Sequence, residues 1–433
     1  MEYLIYVLQD NLSLVLIVIF VRLLCSLSHK DFFVQDGDAK CHLAILKTYT
    51  HKNIEYPTGF HRMSSIIGIK LNEYIPGLFN LIIWCAFVIG INFFYPINLY
   101  SSIYLILSCV LIDEYNKHQY GYSERFCAQL CCSIAFCFII FDWNIFFSIP
   151  FYTYIIFSSK FGRQFVLFIC MPCFLLTYKI NELFYIAILY AIISLLFPAV
   201  RKGIVHQIKW TYNYMPNKLS TISFSGKLRM FYEFHFIRIL LFPELFLLYF
   251  FDFHVFMVLL IVFVVISLRM FSMVGESWRY IEWAMFVPTI ILVTDQFIYL
   301  LVLKLLGFLV YTSLVNIRLR SKIYDYKKDA LEITNFLEGK GGVLPIPYRT
   351  GDELVSVNPG VNLLAWWPVD GSKGLEKLPS KMITYGGDLL EKSKWLVANK
   401  RLLSDEDYDH FSALKNEEII ISNSTYILVK NIK

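Results

Sequence analysis

Charge is scarce in this chain. Asp, Glu, Lys and Arg make up 17% of 433 residues and apolar types 57%, where globular domains run at about 25% and 45–50%. The excess of +5 is small and gives no case for a nucleic-acid partner. Cysteine is confined. All ten lie before residue 174, mostly inside apolar runs, so the polar C-terminal stretch has no disulfide framework. They read as small buried hydrophobes. Cys170-Met-Pro-Cys173 has a redox spacing, but it sits in an apolar run without a βαβ context and is read the same way. Residues 318–433 show no phosphate-binding glycine loop and no nucleophile elbow, and the chain has no clear internal repeat. Glu2 and Asp10 stand where a signal peptide would be positive, and no small-residue cleavage site follows. The first apolar segment is therefore expected to be retained.

What is present is apolar sequence in long runs, with a mean hydropathy of +0.55. Runs of about 20 residues match the ~30 Å of bilayer hydrocarbon. They predict a mainly α fold, a polytopic transmembrane helical bundle of about 11 spans, with a small C-terminal α/β extramembrane domain. Spans are expected over 3–27, 74–94, 96–112, 165–178, 183–200, 236–251 and 255–268, with two more reaching about residue 315. The long stretch ending at Ser158 reads as two spans interrupted at Asp142-Trp143-Asn144. The domain division follows: residues 1–317 as the membrane domain, including a first external loop over 28–73, and 318–433 as the appended domain. In the latter, 325–338 reads as a helix ended by Gly339, and 343–346, 363–367, 418–421 and 426–429 as strands.

The first loop is the densest polar stretch. Residues 32–62 carry three carboxylates, four Lys or Arg and three histidines. Ala39, Leu43, Leu46 and Tyr49 fall at helical spacing against Lys40, Lys47 and Thr48, which predicts an amphipathic helix on the membrane surface. Asp36-Gly37-Asp38 occupies its N-cap region, and Tyr56-Pro57-Thr58-Gly59 ends the segment. A carboxylate there is a candidate general base, although helix caps and solvated charges are commoner at such positions. The Asp-x-Asp pair is also a candidate divalent-metal ligand, although two carboxylates are few for that task. Asp38 and His42 share a helix face by their spacing of four. His61 and Arg62 read as a basic interfacial pair.

A second constellation is Gly275-Glu276-Ser277-Trp278-Arg279-Tyr280-Ile281-Glu282. Glu276, Arg279 and Glu282 recur every three residues, giving either an Arg–Glu ladder or a planar guanidinium positioned for a phosphate. The segment 201–235 is basic, with six Lys or Arg against Glu233. With an odd number of spans it falls on the same side as the first loop, against the positive-inside rule. It reads as answering anionic headgroups or a substrate phosphate.

Asp36-Gly37-Asp38-Ala39-Lys40-Cys41-His42-Leu43, placed after the first apolar segment and followed by Tyr56-Pro57-Thr58-Gly59-Phe60-His61, resembles the first external loop of the GT-C superfamily of integral-membrane glycosyltransferases. The matching motifs span about residues 28–66. Trp366-Trp367-Pro368-Val369-Asp370 shares only its tryptophans with the WWDYG signature of oligosaccharyltransferases. The resemblance implies transfer of a sugar from a polyprenyl-phosphate-linked donor to a glycan, lipid or protein acceptor at the extracytoplasmic face of a bacterial inner membrane. Asp36 or Asp38 would be the general base, and the anomeric centre would invert. Lys40, His42, His61, Arg62, Glu276, Arg279, Tyr280 and Glu282 are the candidates for holding donor phosphate or substrate. Metal dependence stays open, since many members of that superfamily need none. An O-antigen polymerase- or ligase-like protein and a lipid-linked-glycan flippase are the competing readings. The former would concentrate its arginines in the later half, the latter would place charges at mid-span.

Overall fold

A computed structural model describes residues 12–24, 37–110, 122–219, 245–292 and 326–431, apart from short interruptions within these stretches and a few scattered positions in 299–309. The chain divides into two compact units. The first comprises 1–34, 66–200 and 223–322; the second comprises 35–65, 201–222 and 323–433. This division cuts across a simple split at residue 317.

The first unit is helical, and its helices are shorter than the apolar runs that predict them. Turn chemistry is the reason. The Glu124–Ile140 helix stops where Asp142 takes φ 54°, and the chain restarts through a 3-10 turn into Ile149–Ser158. Tyr178, with φ 59°, separates Met171–Leu176 from Ile180–Leu196. The two breaks are tied together, because Lys179 Nζ lies 2.7 Å from Asp142 Oδ1 and donates to the Ile139 carbonyl at 3.1 Å. Pro172 lacks a backbone N–H, and a π-turn over Val166–Cys170 precedes it.

These interruptions overturn the expected 11-span bundle. Among the described residues no single helix is long and apolar enough to cross a membrane. Leu78–Phe94 and Ile180–Leu196 have 17 residues each, about 26 Å at 1.5 Å per residue. One pair, Ile180–Leu196 with Pro198–Lys209, passes on length and composition together but is bent by 102°. Phe197-Pro198 causes the bend, since the residue before a proline is pushed out of the helical region. Parts of the expected spans 3–27 and 236–251, and most of the last two, lie outside the described residues.

The core of the first unit forms where Glu124–Ile140 packs on Ser277–Leu292. Pro288 sits inside the second helix and has no N–H to give the Ala284 carbonyl. Ser133 resolves this. Its hydroxyl donates to the Ala284 carbonyl at 3.1 Å and accepts from the Val287 N–H at 2.6 Å. Gly162 lets the Lys160–Phe165 turn approach closely, since a Cβ there would meet Ile155 Cγ2 at 2.7 Å. The cysteines described are free, and all but Cys85 and Cys131 are buried. Cys170 and Cys173 are among the buried ones.

The second unit is built on a four-stranded sheet. The strands are β1 (Val343–Ile346), β4 (Trp395–Asn399), β5 (Ile419–Ser422) and β6 (Tyr426–Lys430), with β2 (Leu375–Lys377) and β3 (Ile383–Tyr385) forming a separate antiparallel pair. The order is β1-β4-β6-β5, with β1 and β4 parallel and the other pairings antiparallel. Alternation divides the sheet between two cores. Leu344, Ile346, Leu396, Ala398 and Val429 lie with Leu375 and Tyr385, whereas Val343, Val397, Tyr426 and Leu428 lie with Ala330 and Ile333 of the Lys327–Phe336 helix. The expected strand over 363–367 does not form. Leu363 makes one parallel bridge to Val343, and Trp367–Asp370 is a helical turn.

The Gly37–Thr48 helix is part of this unit rather than a surface helix. Ala39, Cys41, Leu43, Ala44, Ile45 and Leu46 are buried, and so are Lys40, His42 and Thr48. Cys41, Ala44 and Ile45 pack with Tyr56, Val355 of the Thr350–Val357 helix and Trp366.

Candidate functional site

The polar residues of the first loop converge with residues some 300 positions later. Lys40 points its ammonium at Glu353 Oε1, 2.7 Å away, and both side chains are about 5% exposed or less. Lys40 Nζ also lies 4.0 Å from the centre of the Tyr326 ring, a cation–π arrangement. Glu353 collects two further donors. Asn399 Nδ2 stands 2.8 Å and the Tyr426 hydroxyl 2.6 Å from Oε2. A buried carboxylate needs donors at both oxygens, and this one has them from a helix and two strands.

The next two lysines of the segment serve the same region. Lys47 Nζ donates to the Ser356 carbonyl at 2.6 Å, and Lys52 Nζ to the Val361 carbonyl at 3.3 Å. Lys52 lies over the Trp366 ring, and burial pushes its pKa down. The Tyr56 N–H donates to the Pro368 carbonyl.

Beside this contact lies a group of rings. His42 Nδ1 and His61 Nε2 are 3.0 Å apart in a shared hydrogen bond. His61 is fully buried, and its pKa is pushed well below the usual histidine value, first by burial and then by His42. In that bond one ring nitrogen donates and the other accepts. Tyr56 sits edge-on to His42, His61, His206 and Trp367. His206 Nε2 donates to the Trp367 carbonyl at 2.9 Å. Asp352 is clasped by both tryptophans, with Trp366 Nε1 2.9 Å from Oδ1 and Trp367 Nε1 3.2 Å from each oxygen. Burial pushes the Asp352 carboxyl up to about 6, against the pull of the indole N–H groups and Arg349.

The sequence-predicted residues thus separate. Lys40 is buried against Glu353, and His42 and His61 are buried against each other, all within the second unit. Asp38 is the second residue of the same helix, within its first turn. Arg62 follows His61 but is exposed, because neighbours on a helix diverge by about 100°. Asp36 and Glu276 lie outside the described residues. Arg279, Tyr280 and Glu282 belong to the first unit. There Arg279 stacks near Trp278 and Phe161, the Tyr280 hydroxyl donates to the Val274 carbonyl at 3.0 Å, and Glu282 accepts from Gln129 Nε2 at 3.0 Å.

Sequence reasoning missed Glu353, Asp352, Tyr326, His206 and Tyr426. The signal available was an acidic pair followed by apolar residues in Thr350–Val357, with the double tryptophan close behind it. Among the described residues no group of three or more His, Cys, Asp or Glu side chains is arranged to hold a metal ion.

Comparison with protein-family models, with curated proteins and with solved structures returns no match.

Proposed function

We propose that this protein is a glycosyltransferase that moves a sugar from a polyprenyl-phosphate-linked donor to a hydroxyl acceptor, with a carboxylate of the Asp36-Gly37-Asp38 motif as general base. The base takes the acceptor hydroxyl proton while the oxygen attacks the anomeric carbon. The anomeric carbon–oxygen bond breaks on the opposite face, and the lipid phosphate leaves with both electrons. One carbon–oxygen bond forms and one breaks, with inversion. The observation that carries this reading is the placement of Asp38 on the first turn of a buried, anchored helix. A helix N-terminus favours the ionised carboxylate that a base requires.

The roles of neighbouring residues follow from their partners. Lys40 and His61 engage Glu353 and His42, so they act on the helix and the loop that carry the motif. Arg62 is exposed on the same segment and is the candidate for the donor phosphate.

The reading sets this chemistry at the extracytoplasmic face of a membrane. Support comes from apolar side chains turned outward. On Ile180–Leu196 only Ile186 and Ile193 are buried, while Phe184, Ile188, Leu195 and Leu196 are more than half exposed. Apolar surface of that extent marks a contact with lipid or protein.

The test is direct. Membranes containing the full chain are given a radiolabelled polyprenyl-phosphate sugar and endogenous acceptors. Label appearing in acceptor only when the chain is present supports the reading, and label remaining wholly in lipid in both samples rejects it.

A further inference from the structure

We infer that Glu353 is a positioning residue for the first-loop carboxylate, so that the C-terminal region is part of the catalytic unit rather than an appendage. This inference rests on the functional reading above. Its structural half stands on geometry alone.

Lys40 follows Asp38 by two residues on the Gly37–Thr48 helix, so whatever holds Lys40 sets where the first turn of that helix lies. Lys40 is held by Glu353 at 2.7 Å, with both partners buried. Glu353 is itself held, since Asn399 of β4 and Tyr426 of β6 fix its other oxygen. The carboxylate therefore links two sheet strands rigidly to the turn carrying Asp38. Further along, Lys47 and Lys52 donate to backbone carbonyls of the same region, which anchors the segment beyond its first turn. A buried ion pair is weak as a source of net stability, but its directional bonds select one arrangement among those that apolar packing alone permits. Displacement of a reacting group by about 1 Å costs on the order of 100-fold in rate.

The experiment uses the full chain in membranes with Glu353→Gln, Lys40→Met, the double variant Lys40→Met/Glu353→Gln, and Tyr426→Phe. Two quantities are read: hydrogen exchange at the amides of residues 41–48, and kcat and KM per folded molecule for a radiolabelled polyprenyl-phosphate sugar. Each charge-removing single variant is expected to raise exchange and to lower kcat about 100-fold, with the KM for donor unchanged. The double variant, with neither charge left unpaired, is expected to recover most of both. Tyr426→Phe keeps the ion pair and removes one donor, so it gives a smaller change of the same sign, and it carries the test if the charge-removing variants do not fold. Wild-type kcat per folded molecule in the single variants would overturn the positioning role, because a merely stabilising residue changes how much protein folds and not how fast it turns over. Unchanged exchange at 41–48 would overturn the structural link. A wild-type chain that transfers no sugar would overturn the functional reading and the catalytic half with it, and the exchange result would then decide the link by itself.

Discussion

Lys40 Nζ lies 2.7 Å from Glu353 Oε1, across 313 residues of sequence and inside the second unit. Removing one partner of such a pair leaves a charge buried without compensation, which costs about 3–5 kcal/mol, whereas replacing both is close to neutral. Lys40→Met alone is therefore expected to lower unfolding stability by roughly that amount, and Lys40→Met/Glu353→Gln to regain most of it. Denaturant midpoints of the four proteins in one double-mutant cycle measure the coupling. Additive losses would show that the two side chains do not act as a pair.

The His42–His61 hydrogen bond needs a deprotonated ring nitrogen as its acceptor. The His61 pKa is pushed well below the usual histidine value of 6.5 by burial and by His42. A lowered histidine pKa contributes stability that is fully present above the unfolded value and is lost as pH falls through it. Unfolding stability is expected to drop as pH goes from 7 to 5, by as much as about 1.4 kcal/mol per pH unit from this group below the unfolded value, and thermal midpoints over that window report it. His61→Gln keeps a neutral donor and acceptor, and its midpoint should fall less over the same window.

Asp352 acts with the opposite sign. Its carboxyl is raised from 3.8 to about 6 by burial. Between those values the folded chain holds a proton that the unfolded chain has released, so stability declines as pH rises. The decline is on the order of 3 kcal/mol. Asp352→Asn retains an oxygen for the two indole N–H groups and cannot ionise. Measured from pH 4 to 7, the variant should gain on the wild type as pH rises; a constant difference would show that Asp352 does not titrate in this range.

Ser133 supplies the hydrogen bond that Pro288 withholds from Ala284. Ser133→Ala leaves a buried carbonyl unsatisfied and should cost about 1–3 kcal/mol. Adding Pro288→Ala restores a backbone donor four residues after Ala284 and should return part of that loss. Equal stability in Ser133→Ala and wild type would remove the serine from this account.

Some of this architecture is legible along the chain. β1, β5 and β6 follow short apolar runs bounded by glycine or by Ser422-Asn423-Ser424, and Gly339 ends the helix before them at φ 71°. The breaks at Asp142 and Lys179 are visible as polar interruptions, yet their effect on length is not. A run of apolar residues records hydrophobicity, whereas a left-handed Asp142 or Tyr178 is fixed by packing at the helix ends. β4 escaped notice because Trp395–Asn399 is set between the polar stretches Lys392-Ser393-Lys394 and Lys400-Arg401. In the candidate site, Lys40, His42 and His61 stood out because so dense a polar stretch is unusual in an apolar chain. Their partners Glu353 and Tyr426 did not, since a contact made between distant segments leaves no periodicity in either. The amphipathic reading of 38–50 failed for the same reason: Lys40 looks like a solvent-facing residue until Glu353 is placed against it.

The central claim is that the first-loop carboxylates remove the acceptor proton. The measurement is transfer from a radiolabelled polyprenyl-phosphate sugar in membranes carrying Asp36→Asn or Asp38→Asn, each compared with wild type at equal amounts of folded protein. Loss of a general base costs about 100-fold or more in kcat, with donor binding preserved, and one of the two variants is expected to show it. Full transfer by both would contradict the account.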